Sequence, residues 1–197
     1  EASAAGANQA LDNLIAGLQT GNAEAVLEYI SIVLENSVYP DCVPIEHDFD
    51  FDAELRELDL KVTIPGPDEL PRIKAYKYAK GTDEITSTDL PAKAQKDRYA
   101  SLLHQVTLRS VHEVFEADRV GCIQRISLSV GTDSIDPATG QLKSTPLAAI
   151  ATDRTSFEAI DLSLVVPSAT LQHLGALVSK NPHGLVAIDT SKGVRTT

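Results

Sequence analysis

Methionine and tryptophan are absent from this 197-residue chain, cysteine occurs twice, and aromatic residues make up only 5% of it. Each shortage excludes something. Two cysteines, Cys42 and Cys122, cannot build a disulfide framework and have no zinc-ligand spacing, so a reducing, cytoplasmic setting is the default. A chain without methionine that begins at Glu1 is expected to be a segment of a longer protein, whose main chemistry then lies elsewhere. No apolar run approaches the roughly 20 residues that span a bilayer. The most apolar stretch, residues 23–38, is broken by Glu24, Glu28 and Glu35, so no membrane partner is expected. No basic amino-terminal region leading into an apolar core is visible either, so no signal peptide is expected from these residues. Without a glycine-rich phosphate loop, or a Ser or Cys beside a His–acid pattern, P-loop enzymes and triad hydrolases are set aside.

Positive charge is also short. Seventeen Lys and Arg face 28 Asp and Glu, a formal net charge of −11, which disfavours general attraction to phosphate backbones. The balance is uneven along the chain. Residues 41–59 hold eight acids and one base (Arg56), whereas residues 72–98 hold seven bases and four acids.

The remaining composition, 43% hydrophobic, is that of a globular chain with a core. Leu11, Leu14, Ile15 and Leu18 give a short helix over residues 7–19, and Asn22 is placed to cap a second helix ending before Pro40. Residues 45–52 alternate Ile45, His47, Phe49, Phe51 against Glu46, Asp48, Asp50, Asp52, and residues 57–64 alternate likewise, which predicts a β-hairpin. A long connection with a short strand over residues 73–80 leads to a strong helix over residues 94–117. A second hairpin turns at residues 136–140. Thr155 to Glu158 has capping-box spacing for a short helix, and residues 168–178 suggest another. The expected class is α+β: two antiparallel β-hairpins packed against a long central helix and N-terminal helices. The expected division is a helical segment (1–38), an α+β domain (39–179) and a polar C-terminal tail or linker (180–197).

One spacing looks like metal chemistry. Pro40-Asp41 is followed, after seventeen intervening residues, by Asp59-Leu60-Lys61, the way many nucleases present two carboxylates and a lysine to Mg²⁺. Amphipathic hairpins also put acids and lysines on their wet face, so Asp41, Asp59 and Lys61 stand as the catalytic alternative only. Asp48-x-Asp50-x-Asp52 starts like a calcium loop, but Ala53 follows where a glycine is needed and the alternating phenylalanines demand a strand. The stretch Arg72 to Lys80 interleaves bases with Tyr76 and Tyr78. As a strand it puts Lys74, Tyr76, Tyr78 and Lys80 on one face, able to meet phosphates and stack on bases, or else to serve as an ordinary lysine-rich edge. His112 and Glu116 are an i, i+4 pair without an evident third ligand, and no metal site is expected from the histidines.

Several phrases in order carry a resemblance: residues 27–40 (LEYISIVLENSVYP), 65–80 (PGPDELPRIKAYKYAK), 108–119 (LRSVHEVFEADR), 135–141 (IDPATGQ) and 157–178. Over about residues 22–190 the chain resembles the conserved non-catalytic region upstream of the nuclease domain in actinobacterial Mrr-type restriction endonucleases. In that family the catalytic Asp and a Gln-x-Lys strand lie downstream. The nearest match here, Ala94-Gln95-Lys96, opens a helix, so no catalytic residue carries over. The resemblance implies an accessory domain of a DNA-defence protein, regulatory, oligomerising or DNA-positioning, that needs no cofactor of its own. Mg²⁺ enters only under the nuclease alternative. Its expected partners are duplex DNA, mainly through the missing nuclease domain, and a second copy of itself. If this segment touches DNA, Arg72, Lys74, Tyr76, Lys77, Tyr78, Lys80, Lys93, Lys96 and Arg98 are the contacts to expect. A purely structural protein–protein interaction module is the third reading.

Overall fold

Asn22 sets the first fixed point. Its side chain accepts the Ala25 N–H at 3.0 Å, satisfying an orphan donor at the start of a helix. That separates α1 (Ala2–Thr20) from α2 (Ala23–Glu35), with Gly21 at φ 68° making the break. Residues 2–191 are described in the computed structural model, so the last six positions of the expected tail lie outside the described residues. The α2 stripe Val26, Ile30, Leu34 is buried as its spacing requires. The α1 stripe is not: Leu11 and Ile15 are exposed, and only the end of the helix, around Leu18, reaches the core.

The hairpin expected from strict alternation is β1 (Glu46–Asp52) and β2 (Glu57–Thr63), with Phe51 opposite Leu58, Phe49 opposite Leu60 and Asp50 opposite Asp59. The Asp52 carboxylate accepts the Glu54 and Leu55 N–H groups, each at 2.9 Å, closing the turn. Next comes a second ribbon, β3 (Ile73–Ala79) paired with β4 (Glu84–Asp89), which forms a separate two-stranded sheet. The sequence pattern predicted β3 and missed β4, whose residues EITSTD carry a single large apolar side chain and no alternation.

Pro91 precedes α3 (Ala92–Ala117), buried through Tyr99, Leu103, Val106, Val111, Val114 and Phe115. The Tyr99 hydroxyl donates to the Pro65 carbonyl at 3.0 Å, and burial pushes its phenol up to about 12. The helix returns the chain to β5 (Arg125–Ile135), which lies parallel to β2, while β6 (Leu142–Asp153) runs antiparallel to β5. A parallel neighbour requires a long crossover, and the ribbon and α3 supply it. The two hairpins therefore join, through the β2–β5 pair, in one five-stranded sheet of order β1-β2-β5-β6-β7, where β7 is Leu177–Val178. Opposite the β6 bulge at Leu147, a Cβ on Gly131 would come within 2.6 Å of the Thr145 carbonyl, so only glycine fits.

α4 (Arg154–Glu158) is capped by Asp153, whose carboxylate accepts the Ser156 N–H at 2.9 Å, two positions earlier than the box at Thr155 suggested. α5 (Pro167–His173) is shorter than expected because the chain straightens into β7. The expected tail begins with a folded segment: Pro182–Gly184 makes a 3-10 turn, and Ile188 N–H donates to the Pro146 carbonyl at 3.0 Å. Helices α2 and α5 and this turn pack along α3. The architecture is α+β, with the core between those helices and the sheet. No helix among the described residues is long and apolar enough to cross a membrane.

One ion pair locks the end of α3. The Asp118 carboxylate accepts N–H groups from Gly121, Cys122 and Ile123 at 3.1, 3.0 and 2.7 Å, and Arg154 Nη2 donates to it at 2.6 Å. The side chains are 14% (Arg154) and 5% (Asp118) exposed. Arg154 also donates to the Ile123 and Phe115 carbonyls at 3.0 Å each, and its guanidinium lies 4.8 Å from the Phe115 ring centre. Removing either partner strands a desolvated charge, so Arg154→Ala and Asp118→Ala are each expected to cost about 3–5 kcal/mol in urea unfolding. A loss below about 1 kcal/mol would show that the pair does not hold this junction.

Candidate functional site

Two surfaces and one half-buried polar cluster hold the chemistry of this chain. The first surface is the β3–β4 ribbon, an arm. Every residue from 71 to 89 is exposed except Ala79, which is half-buried, and none belongs to the core. Its base is held where the Leu90 N–H donates to the Arg72 carbonyl at 2.8 Å and Arg98 donates to the Pro71 carbonyl. Tyr76 and Tyr78 share a face, as alternation predicts, with Ile85 directly opposite Tyr78. They are 68%, 54% and 72% exposed in the order Tyr76, Tyr78, Ile85. The four-residue face expected from sequence is shorter in the structure: Lys74 sits in a bulge between Ile73 and Ala75, and Lys80 lies in the turn beyond the strand. Tyr78 donates to the Asp83 carboxylate across the turn, and that bond raises its phenol pKa ahead of burial.

The expected nucleic-acid contacts divide. Arg72 pairs with Asp68, and Lys93 with Asp97 at 3.0 Å. Among the described residues no ion pair involves Lys74, Lys77, Lys80 or Lys96. Lys93, Lys96 and Arg98 lie on the first turns of α3, at the foot of the arm rather than along it.

The second surface is the face of β1–β2 turned away from the core. Glu46, Asp48, Asp50, Asp52 and Asp59 are exposed there, with Lys61 opposite Asp48. Asp48, Asp50 and Asp52 are strand residues, not a calcium loop. Asp59 and Lys61 do share this face. Asp41 sits apart in the turn before β1, on a connection that Ser37 and Tyr39 hold against α3. Burial, then Glu57, Asp50 and Asp48, raise the Asp59 carboxyl above the usual range; Asp41 is not among the causes. Glu57 is buried beside them, accepting the Ser127 hydroxyl at 2.6 Å. Among the described residues no three His, Cys, Asp or Glu side chains converge as metal ligands, and His112 pairs only with Glu116, at 3.2 Å.

The polar cluster, between the α2–β1 connection and α3, escaped the sequence reading. Glu113 accepts Ser37 Oγ at 2.8 and 2.9 Å and Arg109 Nε at 2.6 Å, and the Arg109 guanidinium lies 4.3 Å from the centre of the Tyr39 ring. Tyr39 OH, His47 Nε2 and Ser110 Oγ are buried without a hydrogen-bond partner among the described residues. Burial pushes the His47 imidazole below 6.5, partly offset by attraction to Glu113, and burial does the same to His104. Arg109 and Glu113 are an i, i+4 pair on α3, but only the tertiary fold brings Ser37, Tyr39 and His47 to them.

Comparison with protein-family models, with curated proteins and with solved structures finds no match to this chain.

Both histidines bind fewer protons folded than unfolded between the depressed values and 6.5, so stability rises with pH across that window. The urea midpoint is expected to fall as pH drops from 7.5 to 5.5, and His47→Gln with His104→Gln should flatten the fall. A midpoint that rises on acidification in the wild type, or an equally steep fall in the double variant, would contradict the assignment.

Proposed function

We propose that this chain is a non-catalytic docking module of a restriction-endonuclease-like DNA-defence protein. It supplies a binding surface, and cleavage belongs to a separate nuclease domain. The observation that supports this reading is the arm. A two-stranded ribbon is at best marginally stable alone in water, yet this one holds Tyr76, Tyr78 and Ile85 in solvent and adds nothing to the core. Burying one large apolar side chain contributes about 1.5–3 kcal/mol, a stabilisation the arm reaches only against a partner. The resemblance points the same way: residues 65–80, one of its phrases, contain β3, and it transfers no catalytic residue.

The competing reading, a metal-dependent nuclease using Asp41, Asp59 and Lys61, has weaker geometric support. Asp59 stands among Glu57, Asp50 and Asp48, while Asp41 belongs to the turn before β1. A carboxyl raised by burial and then by like charges is destabilising in its ionised form. Asp59→Asn should therefore give a small rise in melting temperature at pH 7, a gain that disappears as pH falls through the raised pKa, where wild-type Asp59 is itself protonated. Neither protein should nick supercoiled plasmid in Mg²⁺. Mg²⁺-dependent nicking by the wild type that Asp59→Asn abolishes would replace the docking module with an enzyme.

A further inference from the structure

The geometry points to a second copy of this chain as what covers the arm: the β3–β4 ribbon of each copy lies on the acidic β1–β2 face of the other. The inference rests on the docking reading and names its partner.

The two surfaces are incomplete in complementary ways. On the arm, the Tyr76, Tyr78 and Ile85 face is bracketed by Lys74 in the bulge and Lys80 in the turn. Charge on the ribbon is segregated, with the lysines on β3 and at its ends and the acids Asp83, Glu84 and Asp89 on the turn and β4. The β1–β2 face is acid-rich, and its register sets Asp50 directly opposite Asp59. Like charges so placed repel. Lysine brought over that pair relieves the repulsion, and the tyrosine rings leave water at the same time. Because one chain carries both surfaces, a two-fold axis satisfies both contacts at once, and closure stops the association at a dimer. Duplex DNA is the rival partner for the same lysines. It would meet them on a chain of net charge −11, whereas a second copy presents carboxylates to them.

Two whole chains of the same sign repel at long range, so salt dependence alone does not discriminate. A charge exchange does. Sedimentation velocity of the wild type should show a concentration-dependent dimer. Lys74→Glu with Lys80→Glu, and separately Asp48→Lys with Asp50→Lys, should each weaken it about tenfold or more. All four side chains are exposed, so melting curves no lower than the wild type's certify the fold; the face variant should melt slightly higher, because it removes the repulsion around Asp59. An equimolar mixture of the two variants should dimerise again, because each altered arm then meets an altered face and each native arm a native face. A wild type that stays monomeric, a dimer that neither variant weakens, or a mixture without rescue overturns the inference. Monomeric wild type that binds labelled duplex DNA through Lys74 and Lys80 would assign the arm to nucleic acid: the dimer falls and the docking reading stands. Plasmid nicking lost in Asp59→Asn is the separate result that removes the docking reading itself.

Discussion

The Arg154–Asp118 pair is the constraint on which the rest of this fold depends. It stands where α3 ends and β5 is about to begin, and Arg154 opens α4 directly after β6, so one guanidinium ties the end of α3, the approach to β5 and the exit from β6 together. A charge pair this buried carries a heavy desolvation penalty. It is tolerated here because the carboxylate is saturated by three backbone N–H groups and the guanidinium by backbone carbonyls. The turn that α3 makes into the sheet sets β5 beside β2, and that pairing joins the two hairpins into one sheet. Arg56, at φ 53° in the β1–β2 turn, donates to the Cys122 carbonyl at 3.1 Å and ties the first hairpin to the same corner.

Around that corner the molecule divides into a body that satisfies itself and parts that do not. The body buries Tyr99, Ile30, Leu58, Leu60 and Ile126 almost completely. The arm buries nothing, and the outward face of β1–β2 repels itself. Antiparallel sheets can face water on one side, so an open face alone is ordinary. Less ordinary is the combination of a bare acidic face with a ribbon of lysines and exposed tyrosines on the same chain. Stability and recognition are thus assigned to different segments, and substitutions on the arm leave the core untouched.

Much of the body was legible in residue order. Period two in residues 45–64 placed β1 and β2 to within a residue, and the Leu103, Val106, Val111 and Val114 spacing placed α3. Asn22 as a cap was readable because capping is a local bond. β4 was not, since EITSTD neither alternates nor packs; it is a strand only because β3 offers it a ladder. The cap at Asp153 was misassigned to Thr155 because β6 runs directly into α4, and where a strand gives way to a helix is decided by pairing with β5. On the candidate site, alternation correctly put Asp59 with Lys61 and Tyr76 with Tyr78, while the bulge at Lys74 and the turn at Lys80 cut the predicted basic face short.

By itself, then, the sequence determined the elements whose pattern repeats at the period of their own backbone: the first hairpin, the long helix, the capped entry to α2, the segregation of acid from base. These follow from contacts between residues two to four apart. Tertiary structure alone decided that the hairpins share one sheet, that Ser37 and His47 meet the Arg109–Glu113 pair, that Arg154 finds Asp118, and that the ribbon is left in water while α2 is buried. Those outcomes depend on pairings between segments far apart in the chain. Such pairings are chosen by the total apolar area and charge that all segments bury together, a quantity no single stretch of sequence contains.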